Sequence, residues 1–179
     1  MLSYKEFLKE ESNIKDYSNF FNWFGNSKIK DKHDNPLIVF HGTDEDFEIF
    51  DRDKGRKWAG KVGFWFTDKK DMAEMFGNKI LSVYLKIENP YKMTMKTFNS
   101  WREKYHNDLI FWLNKRNELV ENGYDGIVIE GKPEKLGKFD VDSGSIYVTF
   151  NSNQIKSIDN VGSFNPKSNN IRENLNVIL

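Results

Sequence analysis

A succession of short apolar runs, each closed by Gly, Pro, Asn or Asp, sets the tightest limit on how this chain folds. Residues 37–40 follow the turn Asp34-Asn35-Pro36, residues 63–67 read GFWFT, residues 125–130 read DGIVIE, and residues 145–151 read SIYVTFN. Runs this short, rich in β-branched and aromatic residues, are strands. Residues 80–87 alternate: Leu81, Val83, Leu85 and Ile87 make an apolar face, while Ile80, Ser82, Tyr84 and Lys86 make a mixed one. That is the pattern of a half-buried strand. Residues 47–50 also alternate, and residues 154–158 add a last candidate.

Helical spacing occurs around and between these runs. Tyr4, Phe7 and Leu8 form one stripe; Tyr17, Phe20, Phe21 and Phe24 form another, stopped by Gly25 and Asn26. Ser12 and Asn13 separate the two, so residues 1–15 are expected to be an N-terminal helical arm on a single domain over 16–179. Asp68 is placed to cap a helix running to Phe76 and ended by Gly77 and Asn78. Residues 96–122 read as helical, with Leu109, Trp112, Leu113 and Val120 on one face. Residues 131–144, with Pro133 and several charges, read as a loop, and the segment from Gly162 as a polar tail. The expected class is α+β, mostly antiparallel, with a central helical insertion.

Composition removes whole classes of function. The 179 residues suffice for a core, and 27 Lys plus Arg against 27 Asp plus Glu leave no global field to hold a nucleic acid. The absence of Cys excludes disulfides, thiol catalysis and Cys-based metal sites. No two of the three His share metal-ligand spacing, so no metal is expected. No apolar run reaches the ~18–20 residues of a membrane helix, and the N-terminus lacks the apolar stretch of a secretion signal. A soluble, intracellular-type domain is expected.

Few residues remain to carry chemistry. His33, in the turn KDKHDNP, and His106, in a polar stretch, read as surface residues. His41 follows a buried-type strand and precedes Gly42 and Thr43. Two readings stay open: a site offering an imidazole, an open backbone and a hydroxyl, or a strand end closed by a Thr turn. Residues 51–61 carry five basic and two acidic side chains, Trp58 and two Gly. They fit a phosphate or nucleic-acid grip and, equally, a solvated loop. In GFWFT, Phe64 and Phe66 face one side and Trp65 the other. Core packing suits the two Phe; Trp65 and Phe76 suit a pocket for a flat ring.

Six stretches in order now carry a resemblance: FFNWFGNSKIKDKHDNPLIVFHGT, GFWFTDKKDMAEMFGN, VYLKIENPYKM, NGYDGIVIE, YVTFNSNQIKSIDNVGSFNP and NIREN. Spanning about residues 19–174, they resemble the ADP-ribosyltransferase-like domain of polyvalent phage and mobile-element proteins, related to the poly(ADP-ribose) polymerases. The resemblance implies split antiparallel β-sheets with flanking helices. It implies NAD as the substrate, broken at the nicotinamide–ribose bond, and mono-ADP-ribosylation of a host macromolecule. His41 would hold the adenosine-side ribose and the Gly42 backbone the carboxamide, with Thr43 and Gly63 in the same binding set. Trp65 and Phe76, in positions where the polymerases carry Tyr, would sandwich the nicotinamide. Ile146 stands where the polymerases carry Glu, as in mono-ADP-ribosylating members. Asp142 and Glu130 are the acids available to compensate, beside His41 and Phe76. Gln154 is expected to hold the last turn. A host protein is the expected target, with RNA as another, and the bacterial cytoplasm is the expected site of action if the source is a phage. The arm faintly resembles a capsid-targeting leader. The alternatives are an impaired module that binds NAD or a partner protein, or an NAD hydrolase.

Overall fold

The computed structural model describes residues 17–55, 57–131, 134–136, 139–141, 144–160 and 162–173. The expected arm over residues 1–15 lies outside the described residues. The aromatic stripe forms α1 (Ser18–Phe24), which buries Phe20, Trp23 and Phe24 against Tyr84.

The strands are β1 (Val39–Thr43), β2 (Phe64–Thr67), β3 (Lys79–Leu85), β4 (Pro90–Thr94), β5 (Gly126–Glu130), β6 (Glu134–Leu136), β7 (Phe139–Val141), β8 (Ile146–Thr149) and β9 (Ile155–Ser157). Seven of them form one sheet in the order β4-β5-β8-β2-β1-β3-β9, and β6 with β7 makes a separate ribbon. Every pairing is antiparallel except β4 with β5. Helices α2 (Lys57–Val62), α3 (Lys70–Glu74), α4 (Met95–Tyr105) and α5 (Leu109–Glu121) flank the sheet. The α+β class with a helical insertion is what the sequence predicts.

Alternation gives the sheet two apolar faces. On the first, Val39, Phe64, Phe66, Val83, Leu85 and Tyr147 pack with Phe50, Ile155 and Ile171. On the second, Trp65, Ile127, Ile129 and Val148 pack with Phe98, Trp112 and Leu119 of the helical insertion. The split in the sheet lies between β1 and β2. β1 pairs with β3 along its whole length, from Val39↔Val83 to Thr43↔Lys79. It meets β2 only at Phe40↔Thr67, while β2 pairs fully with β8, from Phe64↔Thr149 to Thr67↔Ile146.

Several local expectations change. Residues 47–50 are not a strand; Phe47 and Phe50 turn together, rings 4.8 Å apart, onto His41, and only Ile49 bridges to Asn170. Asp68 does not cap α3, because its carboxylate engages the Tyr147 hydroxyl while its N–H donates to the Ser145 carbonyl at 3.4 Å; the cap position is Lys69, with no side-chain bond. The predicted helix 96–122 is two helices, because Asp108 accepts the Phe111 N–H at 2.8 Å and starts a new one. On α5 the expected face separates: Trp112 is buried, while Leu109, Leu113 and Val120 are exposed. Residues 90–94 form a strand that their own pattern does not announce. Loop 131–144 contains the β6–β7 ribbon. The polar tail packs: Ile171 is fully buried and its carbonyl accepts the Ser157 N–H at 2.9 Å.

Candidate active site

The parting of β1 from β2 is bridged by a side chain. His41 Nδ1 lies 2.8 Å from the carbonyl oxygen of Trp65. A carbonyl only accepts, so Nδ1 carries the proton and Nε2 is the acceptor of the neutral ring. The imidazole packs among Phe50, Phe66 and Phe47, with centroids at 5.0, 5.5 and 6.3 Å. Burial among these rings holds His41 below the ordinary imidazole value, and the bond to Trp65 opposes that only in part. The side chain is therefore a neutral, oriented imidazole at neutral pH.

Gly42 is required by packing. A side chain there would overlap the carbonyl oxygen of Ala73 in α3, and its Cβ would lie 3.3 Å from the Cβ of Phe76. Gly77 is just as close to the main chain of Thr43. The end of α3 thus rides directly on residues 42–43. The face of Gly42 that was expected to be open is covered by protein. What stays available is its main-chain edge toward β2, where no ladder pairing continues beyond Phe40. Phe76 remains 57% exposed beside it. The turn after Phe76 is pinned by Asp44, whose Oδ1 accepts the Asn78 N–H at 2.9 Å.

The other predicted residues take definite places. Thr43 ends β1 with a Thr turn, its hydroxyl accepting the Glu45 N–H at 3.1 Å. Trp65 lies on the same face of the sheet as Phe76 and the covered side of Gly42. Its indole is half-buried against Trp58 and Phe98, and Nε1 donates to the Ala59 carbonyl at 2.9 Å. Gly63 serves the β2–β8 contact, since a side chain there would overlap the Thr149 carbonyl. Ile146 is half-buried on the second face, opposite Thr67. Glu130 is exposed at the end of β5, with β8 and β2 between it and β1. Ile129 is buried on the second face, so alternation puts Glu130 on the other one. Asp142 lies outside the described residues. The structure therefore brings His41, Gly42, Thr43 and Phe76 together, joins Trp65 to them through its carbonyl while its indole packs on Trp58 and Phe98, and leaves Glu130 apart.

Three residues gain roles that motif order does not assign. Phe47 and Phe50 enclose His41; their nearness in sequence to the His-Gly-Thr segment is the one visible signal. Asp68 lies one residue beyond the Thr67↔Ile146 pair and contacts the Tyr147 hydroxyl. Burial, then the Asp68 charge, pushes Tyr147 up to about 12. Gln154 holds the last turn as expected: Oε1 accepts from the Phe150 and Asn151 N–H groups, and Nε2 donates to the Lys86 and Asp125 carbonyls. Among the described residues, no group of three or more His, Asp or Glu could hold a metal ion, and no helix is long and apolar enough to cross a membrane.

Known proteins supply a further comparison. A family model described as ADP-ribosyltransferase in polyvalent proteins matches residues 31–164. The crystal structure of an anti-CRISPR protein is similar with a TM-score of 0.36 and 14% identity, over 66% of this chain and 91% of that one. No curated protein matches the sequence.

Proposed function

Because the chain belongs to the family of ADP-ribosyltransferases of polyvalent proteins, we propose that it cleaves NAD and transfers ADP-ribose to a host macromolecule, most simply a protein of the bacterial cytoplasm. The observation that carries this reading is the split: β1 leaves β2 after Phe40, freeing a main-chain edge beside an exposed Phe76. An amide needs one donor and one acceptor in a line, which a strand edge offers. An exposed aromatic face beside that edge suits a flat ring.

In the proposed reaction the carboxamide of nicotinamide pairs with the Gly42 edge and its ring lies against Phe76, with Trp65 on the same side. His41, fixed through Nδ1, accepts a ribose hydroxyl at Nε2. The bond between C1′ of the ribose and the ring nitrogen then breaks. Its electron pair leaves with nicotinamide, and a nucleophile of the target attacks the resulting oxocarbenium-like centre. The protein contributes orientation and electrostatics rather than covalent chemistry. Ile146 brings no charge to that centre and Glu130 stands apart from it, so the acid comes from Asp142 or from the target. The same Ile146 supports a second reading, a catalytically weak module that binds NAD or a partner.

The test is incubation of the protein with NAD and a bacterial lysate, following free nicotinamide and macromolecular ADP-ribose together, with His41→Ala as control. Release with a labelled species supports transfer. Release without label indicates an NAD hydrolase. Silence in both, with and without added RNA, supports the binding module.

A further inference from the structure

On the far side of Trp65 a second feature stands apart from the seam. Arg116 of α5 lies with its guanidinium 5.4 Å from the centre of the Phe150 ring. Its Nη2 donates to the Phe150 carbonyl at 3.3 Å and Nη1 to Asn117 Oδ1 at 3.5 Å, both long bonds to neutral acceptors. Its Nε is buried and has no acceptor among the described residues. The charge that acts on it is another cation: burial first, and then the Arg52 guanidinium, holds Arg116 below its ordinary value. Neither arginine forms an ion pair among the described residues.

Arg52 is held by its backbone. It begins the short 3-10 turn Arg52–Lys54, whose Asp51 cap accepts the Asp53 N–H at 2.9 Å. Its carbonyl accepts the Gly55 N–H at 3.1 Å. Gly55 and Gly60 approach so closely that a side chain on either would collide with the other, which locks the turn onto α2. Trp58 of α2 stacks on Trp112 of α5, ring centroids 4.7 Å apart and one turn before Arg116, so α2 carries the turn of Arg52 beside the helix that holds the half-buried, under-bonded Arg116 guanidinium. Such a pair repels itself until an anion joins it. The planar guanidinium fork matches phosphate oxygens, which accept two N–H groups at once.

We propose that Arg52 and Arg116 form a binding site for a phosphate-bearing ligand, distinct from the seam at Gly42. The phosphate comes from a dinucleotide or from a nucleic-acid backbone. The proposal does not rest on the transferase reading, because binding is measured without turnover.

The test is calorimetric titration of the full chain with inorganic pyrophosphate at low salt, for the native protein, Arg52→Gln, Arg116→Gln and Arg116→Lys. Each Gln variant is expected to weaken binding by about tenfold or more, as for loss of a charge-assisted hydrogen bond. Arg116→Lys is expected to recover only part of it. Arg52 is exposed, so Arg52→Gln reports on the site even if Arg116→Gln fails to fold. Displacement of pyrophosphate by ADP-ribose identifies the dinucleotide source; displacement by a short single-stranded RNA identifies the backbone source. Absent binding, binding indifferent to Arg52→Gln, or pyrophosphate displaced by neither competitor (an adventitious ion only) overturns the proposal.

Discussion

The imidazole of His41 replaces a ladder hydrogen bond, donating from Nδ1 to the Trp65 carbonyl where β1 and β2 stop pairing. His41→Ala therefore leaves that carbonyl unpaired and a gap beside Phe50. A loss of about 2–4 kcal/mol in urea unfolding is expected, with nicotinamide release down on the order of 10²–10³. The pH dependence has a definite sign. The folded imidazole is depressed below 6.5, so between that value and its folded value the unfolded chain binds the extra proton. Stability contributed by His41 falls as pH drops through this window and levels off beneath it. A chain with His41→Gln should lose this part of the slope; an identical slope would show that His41 is not the group responsible.

Phe76 and Ile146 separate binding from chemistry. Phe76 is 57% exposed, so Phe76→Ala should alter stability by about 0.5 kcal/mol or less while raising KM for NAD several-fold. Phe76→Tyr should keep KM near the native value. Ile146→Glu restores an acid opposite Thr67 and should raise nicotinamide release by about tenfold or more. A folded Ile146→Glu chain with no gain in rate would argue against a cationic centre near β8.

Gln154 is a structural clamp. Gln154→Ala strands the Lys86 and Asp125 carbonyls and the Phe150 and Asn151 N–H groups in a buried turn. We expect a cost of about 2–4 kcal/mol, read from thermal unfolding. Turnover per folded molecule should not change, since the clamp lies apart from the seam.

Lys156 and Glu173 join β9 to the 162–173 segment through an ion pair, with Lys156 fully buried. Burial lowers the Lys156 ammonium, and Glu173 partly restores it. Burial raises the Glu173 carboxyl, but bonds from Lys156, Ser163, Asn165 and Asn160 outweigh this and hold it below 4.5. Its contribution to stability is present above 4.5 and is lost as pH falls through the lower folded value. Lys156→Met and Glu173→Gln should each cost about 3–5 kcal/mol, and the double change less than either. Chemical denaturation of the four chains at neutral pH measures the cycle.

Strands with one buried face are plainly written in this chain. β3 alternates because Val83 and Leu85 meet the core, and β5 because Ile127 and Ile129 do. Residues 47–50 carry the same alternation for another reason: Phe47 and Phe50 wrap one imidazole. The capping rule fails at Asp68 because a tyrosine from a distant strand competes for the carboxylate. Residues 90–94 become a strand through β5, a partner outside their own window. At the site, His41, Gly42 and Phe76 are recognisable from motif order. The covering of Gly42 by Ala73 is not, because it depends on how α3 docks.

The seam strand β2 has neighbours of very different origin. On one side β1 pairs with β3, residues 39–43 with 79–83, within a short stretch of chain. On the other side β2 waits for β8, residues 64–67 with 146–149. Loop closure over that span comes late in folding. A nascent chain on the ribosome therefore holds the His-Gly half early but cannot present a finished site until β8 has been synthesised. For most of its own synthesis the chain therefore has a half-built seam.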